Sequence, residues 1–204
     1  MIFFNKKIRE ASSLLSKLPG IGPRQATRLA YFLSRENKER TLELARAISE
    51  LSFAGVCQNC FFIHENGVHS ENLCDICSNP SRDRKIIALV EKETDLISIE
   101  NTENFSGTYL VLGDLKKNGI LEEEQRKRIE HLKKNTKESL GGKAEEIILA
   151  TNPTTFGDFS ASMLEKELSP FADKITRLGR GIPTGGEIEF ADADTLSASL
   201  KNRS

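Results

Sequence analysis

All four cysteines of this 204-residue chain fall in one short stretch, as Cys57-x-x-Cys60, thirteen intervening residues, and Cys74-x-x-Cys77. Each Cys-x-x-Cys pair sets two thiolates on one tight knuckle, and the loop between lets the knuckles close a tetrahedron round a single ion. Four thiolates demand a soft cation and leave no open coordination position, so the expected occupant is one structural Zn2+ per chain. The competing reading is a pair of disulfides or four unrelated thiols. The start, MIFFNKKIRE, is too short in apolar residues for a signal peptide, and no apolar run approaches a membrane span. Both features place the chain in a reducing cytoplasm, where the metal reading is favoured over disulfides. His64 and His69 lie inside the loop and could substitute as ligands. Four cysteines already satisfy the ion, so both read as exposed loop residues.

Charge is distributed as unevenly as the cysteines. The net charge of -1 argues, taken whole, against a nucleic-acid binder. Residues 1–56, however, carry ten Lys and Arg against five Glu, leaving the remainder strongly acidic. In that basic quarter the spacing predicts helices over 5–16, from Pro23 to about Leu33, and over 38–53. Ala26, Leu29, Ala30 and Leu33 form the buried stripe of the second helix, and Leu42, Leu44, Ala45, Ile48 and Leu51 that of the third. Between the first two helices lies Leu18-Pro19-Gly20-Ile21-Gly22-Pro23-Arg24. A hairpin at Gly20 and Gly22 lets backbone N–H groups approach a phosphate, and the following helix N-terminus adds partial positive charge. Lys17, Arg24 and Arg28 flank that point. Such contacts carry no sequence information, so the DNA binding they predict is non-specific and salt-sensitive. The plainer alternative is an αα-corner that happens to use Pro and Gly.

Beyond Arg84 the pattern changes to β-branched apolar runs, Ile86–Val90, Tyr109–Leu112 and Ile147–Ala150, with Ile175–Leu178 as a fourth strand. Helices over 121–134, anchored by Leu121, Ile129 and Leu132, and over about 158–168 alternate with them, which predicts a parallel α/β sheet. Glu91 closes the first run, Asp95 follows four residues later, and Asp114 follows the second run. Carboxylates there stand where parallel sheets bind ligands, and the arrangement resembles the opening of a Toprim domain, whose acidic residues hold Mg2+. The third run ends in Asn152-Pro153 without carboxylates, and Asp192-Ala-Asp194 comes too late to complete a cage. Half of a two-metal site is therefore missing. No nucleophile triad emerges. Gly181–Gly186 reads as a tight turn into a short strand, Glu187–Phe190, and then a tail. With 38% hydrophobic residues and no Trp, the core is thin and small modules are expected.

Six stretches in order, LPGIGPRQATRLA (18–30), CDICSNPSRD (74–83), ALVEKETDLISIE (88–100), FSGTYLVLG (105–113), ILATNPT (148–154) and GIPTGGEIEFADADTLSASL (181–200), resemble the RecR family of bacterial recombination proteins. The resemblance implies an α/β multi-module chain: a helix-hairpin-helix DNA-binding module (1–53), a C4 zinc finger (54–80), a Toprim-like domain (81–176) and a C-terminal Gly-rich, Walker B-like segment with a short tail (177–204). It also implies a non-enzymatic DNA clamp in recombinational repair, self-associating as a dimer or tetrameric ring. Such a clamp acts with RecO, and in many bacteria RecF, to load RecA on strands coated by SSB. The hairpin is assigned DNA contact and one subunit interface, the Toprim face partner binding, and the C-terminal stretch subunit contact. Two departures fall on the Toprim face. Residues 113–120 replace a longer Pro-Leu-Asp loop, and Phe156-Gly157-Asp158 stands for the usual Glu-Gly-Glu. The alternatives are a Mg-dependent Toprim enzyme that cleaves or joins DNA, and a zinc-and-hairpin module that binds protein.

Overall fold

A computed structural model describes residues 5–65, 72–115 and 120–203. His69 and the altered loop residues 116–119 lie outside them. The chain divides into two compact units, Met1–Ala54 and Gly55–Ser204. The first holds α1 (Lys6–Leu15), α2 (Pro23–Arg35) and α3 (Lys38–Glu50), followed by a 3-10 turn at Leu51–Phe53. Side-chain oxygens start two of these helices: Asn5 accepts from the Lys7 N–H and Asn37 from the Arg40 N–H, each filling a donor the helix itself cannot pair. α2 buries Ala26 and Ala30, while Leu29 and Leu33 are only half-buried. The stripe expected to bury α3 does not. Leu42, Leu44, Ala45 and Ile48 are exposed, and Leu51 after them is 73% exposed. The helical period is present, but among the described residues of this unit nothing buries that face.

In the second unit a two-stranded antiparallel ribbon, β1 (Gly55–Val56) and β2 (Ile63–His64), and a single helical turn, α4 (Asp75–Ser78), carry the cysteines. The sheet follows, with β3 (Asp83–Val90), β4 (Gly107–Val111), β5 (Ala144–Ala150) and β6 (Ala172–Arg177) in the order β4-β3-β5-β6, all parallel. Strand alternation sends Ile87, Leu89, Leu110, Ile147 and Leu149 to one face, where α6 (Glu123–Ser139) and α7 (Thr155–Leu168) cover them. Ala88, Val90, Tyr109, Val111 and Ala150 go to the other face, covered by α5 (Glu93–Glu100) and by Phe62 and Ile76 of the cysteine loop. The three apolar residues expected to anchor the charged segment, Leu121, Ile129 and Leu132, are all buried in the α6–α7 core.

One expectation fails at the C-terminus. Glu187–Phe190 is not a strand, because Ile188–Phe190 forms a 3-10 turn. The tail that follows holds a helix, α8 (Ala193–Lys201). Asp192 caps α8 by accepting from the Thr195 N–H at 2.9 Å, so the late D-x-D is a helix start. No helix among the described residues is long and apolar enough to cross a membrane.

Candidate metal centre and nucleic-acid interface

The hairpin between α1 and α2 is wound by three backbone bonds: Lys17 N–H to Leu14 O, Leu18 N–H to Leu15 O and Ile21 N–H to Leu18 O. Gly20 sits at φ +76°, the left-handed region that a side chain disfavours, and this reverses the chain after Pro19. Gly22 is the N-cap of α2 and Pro23 fills its first turn. The first bond back into the helix runs from the Ala26 N–H to Gly22 O at 2.9 Å, and Gly22 has no side chain with which to cap the earlier N–H groups. A Cβ placed on Gly20 or Gly22 would meet nothing within 4 Å, so this stretch of backbone is open to solvent. Lys17, Arg24 and Arg28 are exposed around it, and none forms an ion pair or side-chain hydrogen bond among the described residues. Arg24 and Arg28, one turn apart, share a helix face.

In the second unit the four cysteine sulfurs lie within 4.8 Å of one another, all buried. None is in a disulfide, and Cys60 Sγ and Cys74 Sγ are 3.5 Å apart. A tetrahedron with metal–sulfur bonds of about 2.3 Å has edges of about 3.8 Å, so the donor set fits a single tetrathiolate ion. The knuckles are backbone-made: Phe61 N–H donates to Cys57 O, and Ser78 N–H to Cys74 O, both at 2.9 Å. Contacts with Cys60, Cys74 and Cys77 hold the Cys57 thiol far below its ordinary pKa, and contact with Cys57 above all pushes Cys60 up. His64 is not part of the cluster. It is half-buried on β2, with its ring Nδ1 2.9 Å from Glu65 O, rather than exposed on a loop.

The cysteine loop is also a wedge on the sheet. Cys60 O accepts from the Val111 N–H at 2.8 Å, pairing a donor on edge strand β4. Phe61, at φ +63°, and Phe62 then diverge, Phe61 packing on the α6–α7 core and Phe62 on the α5 core. Arg128 of α6 stacks on Phe61 at 5.0 Å and donates to Val111 O.

The same architecture runs through a known family. Residues 8–51 match the family model described as RecR, helix-hairpin-helix, residues 85–179 that of the Toprim domain, and residues 181–204 that of RecR, C-terminal. The chain is 39% identical to the recombination protein RecR of Roseiflexus castenholzii over 93% of its own length and 89% of the relative's. It is 38% identical to that of Amoebophilus asiaticus over its full length and 98% of the relative's. The chain belongs to the RecR family.

Within this RecR-family chain the acidic residues at the C-terminal end of the sheet do not gather. Glu91 is buried and accepts from the Asn152 N–H at 2.7 Å, joining the ends of β3 and β5. Asp95 accepts from the Lys92 N–H and closes the first turn of α5. Asp114 pairs with Lys92 at 3.0 Å on the surface. Among the described residues the four cysteines are the one group of three or more His, Cys, Asp or Glu side chains close enough to share an ion. Beside Glu91, α7 starts directly over Asn152: a Cβ on Gly157 would sit 2.0 Å from Asn152 O. Phe156 and Asp158, on either side of Gly157, have separate fates. Phe156 is exposed, and Asp158 is bound by Arg177 and Arg180. Sequence reasoning missed Gln125, whose buried amide accepts from the Glu122 N–H and donates to Gly113 O and Asp114 O. The Glu122-x-x-Gln125 spacing before a helix was the available signal. It also missed Arg82 and Asn59, whose partners are distant in sequence and leave no local pattern.

Proposed function

We propose that this RecR-family chain is a DNA-binding clamp of recombinational repair that carries no bond-making chemistry. It works with RecO, and RecF where the organism supplies it, to help load RecA on SSB-coated single strands. The observation that carries the DNA reading is the hairpin. Uncapped N–H groups at the start of α2 and an open backbone at Gly20 and Gly22 are flanked by Lys17, Arg24 and Arg28, exposed cations without an ion pair among the described residues. That chemistry suits a phosphodiester backbone and reads no base. The tetrathiolate centre is a structural zinc site with no coordination position left for substrate. Catalysis is disfavoured because Glu91, Asp95 and Asp114 each serve a different local bond and β5 ends in Asn152-Pro153. Self-association, through the uncovered face of α3 and the C-terminal segment, gathers several hairpins on one DNA molecule.

The test is fluorescence anisotropy with labelled DNA over a range of salt. Arg24→Glu with Arg28→Glu weakens binding at every salt concentration. It also lowers the slope of log affinity against log salt by about two, as expected for two lost phosphate contacts. Affinity and slope equal to the parent's would remove the hairpin from the DNA contact. In the same preparations Mg2+ leaves plasmid DNA intact, and strand cleavage abolished by Glu91→Gln would establish the enzyme instead.

A further inference from the structure

Asn59 sits inside the first knuckle, between Cys57 and Cys60, and its amide faces two elements at once. Its Nδ2 donates to Cys77 Sγ at 3.5 Å, across to the second knuckle. Its Oδ1 accepts from Asn135 Nδ2, on α6. Asn135 Nδ2 also lies 3.2 Å from His131 Nε2, one turn back along α6, and that nitrogen takes the second amide hydrogen when it is unprotonated. The His131 ring is held edge-on against Phe61, with centroids 5.2 Å apart. Asn59, Cys77, His131 and Asn135 line a cleft of about 340 Å3 between the knuckles, β4 and α6.

The polarity of this chain is set at its α6 end. A primary amide presents an acceptor on one side and donors on the other. With Asn135 donating to its oxygen, Asn59 is obliged to turn its N–H groups toward sulfur. An N–H donated to a thiolate stabilises the charge on sulfur and orients the ligand, as outer hydrogen bonds do around metal sites generally. We infer that Asn135 is a positioning residue for the metal centre. From α6 it fixes the orientation of the Asn59 amide and thereby the N–H···S bond on Cys77, so that the hold on the metal depends on a helix that contributes no ligand. The inference rests on the zinc reading given above.

The test uses the full-length protein and two readouts: the rate of Zn2+ transfer to a chromophoric chelator, and the sulfur-to-metal charge-transfer band of the Co2+-substituted protein. In Asn135→Asp the carboxylate cannot donate, and it draws the Asn59 N–H away from Cys77. Zn2+ release is then about tenfold faster or more, the range for loss of an outer-shell partner, and the Co2+ band shifts. Asn59→Ala gives the same two changes, and the double variant releases Zn2+ no faster than Asn59→Ala alone, because both act through one bond. Leu140→Ala, which removes apolar packing just after α6 and leaves both amides in place, leaves both readouts at parental values. A parental rate and band in Asn135→Asp, full additivity in the double variant, or an equal effect of Leu140→Ala would each overturn the inference. A parent that binds neither Zn2+ nor Co2+ stoichiometrically would overturn the metal reading itself.

Discussion

Arg82 lies between the second knuckle and β3, and its guanidinium ties the end of α5 to the loop before β4. It grips both oxygens of Glu100 at the end of α5 and also donates to Phe105 O at 3.0 Å and Gly107 O at 3.3 Å. Tyr109 on β4 donates its hydroxyl to the same carboxylate at 2.6 Å. The two charged side chains are only 16% and 24% exposed, so water does little to replace a lost partner. Burial alone would raise the Glu100 pKa, but the bonds from Arg82 and Tyr109 outweigh it and hold the carboxyl below its usual value. A depressed carboxyl stabilises the fold above its unfolded pKa and loses that contribution as pH falls through the folded one. Glu100→Gln therefore costs about 3 kcal/mol in urea unfolding at pH 7. The gap to the parent begins to narrow below about pH 4, where the carboxyl of the unfolded chain takes up a proton, and goes on closing as pH falls through the lower folded value. A gap of constant size from pH 7 to pH 3 would show that the charge contributes nothing.

At the scale of elements, the cysteine loop acts as the cover of a sheet edge. β4 is the outermost strand next to β3, and an unpaired outer strand is a template for association with other chains. The bond from Val111 N–H to Cys60 O, with Phe61 and Phe62 astride the edge, occupies that template. The loop has almost no core besides its cysteines, so the ion that gathers the knuckles also keeps the cover in place. Chelation is expected to speed amide exchange at Val111, a residue otherwise deep in the sheet, and to raise light scattering as β4 is uncovered. Exchange at Val111 that ignores chelation would mean the loop stays docked without metal.

The convergence of the knuckles was legible because Cys-x-x-Cys spacing encodes geometry locally, and so was the sheet, because buried parallel strands read as unbroken apolar runs. The wedge was not: Phe61 and Phe62 are adjacent in sequence, and only the left-handed backbone at Phe61 sends them to opposite faces. α8 was missed because Ala, Ser and Thr supply most of its length and leave only Leu196 and Leu200 as apolar marks. The acidic trio stood at the correct end of the sheet in sequence, yet each carboxylate found a nearer partner.

For the whole molecule, the first unit combines an excess of cations with an exposed apolar helix face. Residues 1–56 hold a marked excess of cations in a chain whose total is -1. They also expose the apolar face of α3, with Leu44, Ile48 and Leu51 uncovered, while α2 leaves Phe32 58% exposed. A lone hairpin offering Lys17, Arg24 and Arg28 makes few phosphate contacts, and salt screens each of them beyond a Debye length of about 8 Å at physiological ionic strength. Linking several hairpins turns later contacts into intramolecular ones, and affinity rises without any new type of contact. If the α3 face is what joins the copies, Leu44→Asp with Ile48→Asp places two unpaired charges in that junction while leaving the hairpin side chains in place. Analytical ultracentrifugation is expected to show a smaller assembly, and DNA affinity to fall at least tenfold at moderate salt with α-helical circular dichroism unchanged. A variant that keeps the parental assembly size would move self-association off α3. One that shrinks yet binds DNA at full strength would show that a single basic hairpin suffices and that gathering copies contributes nothing to the grip.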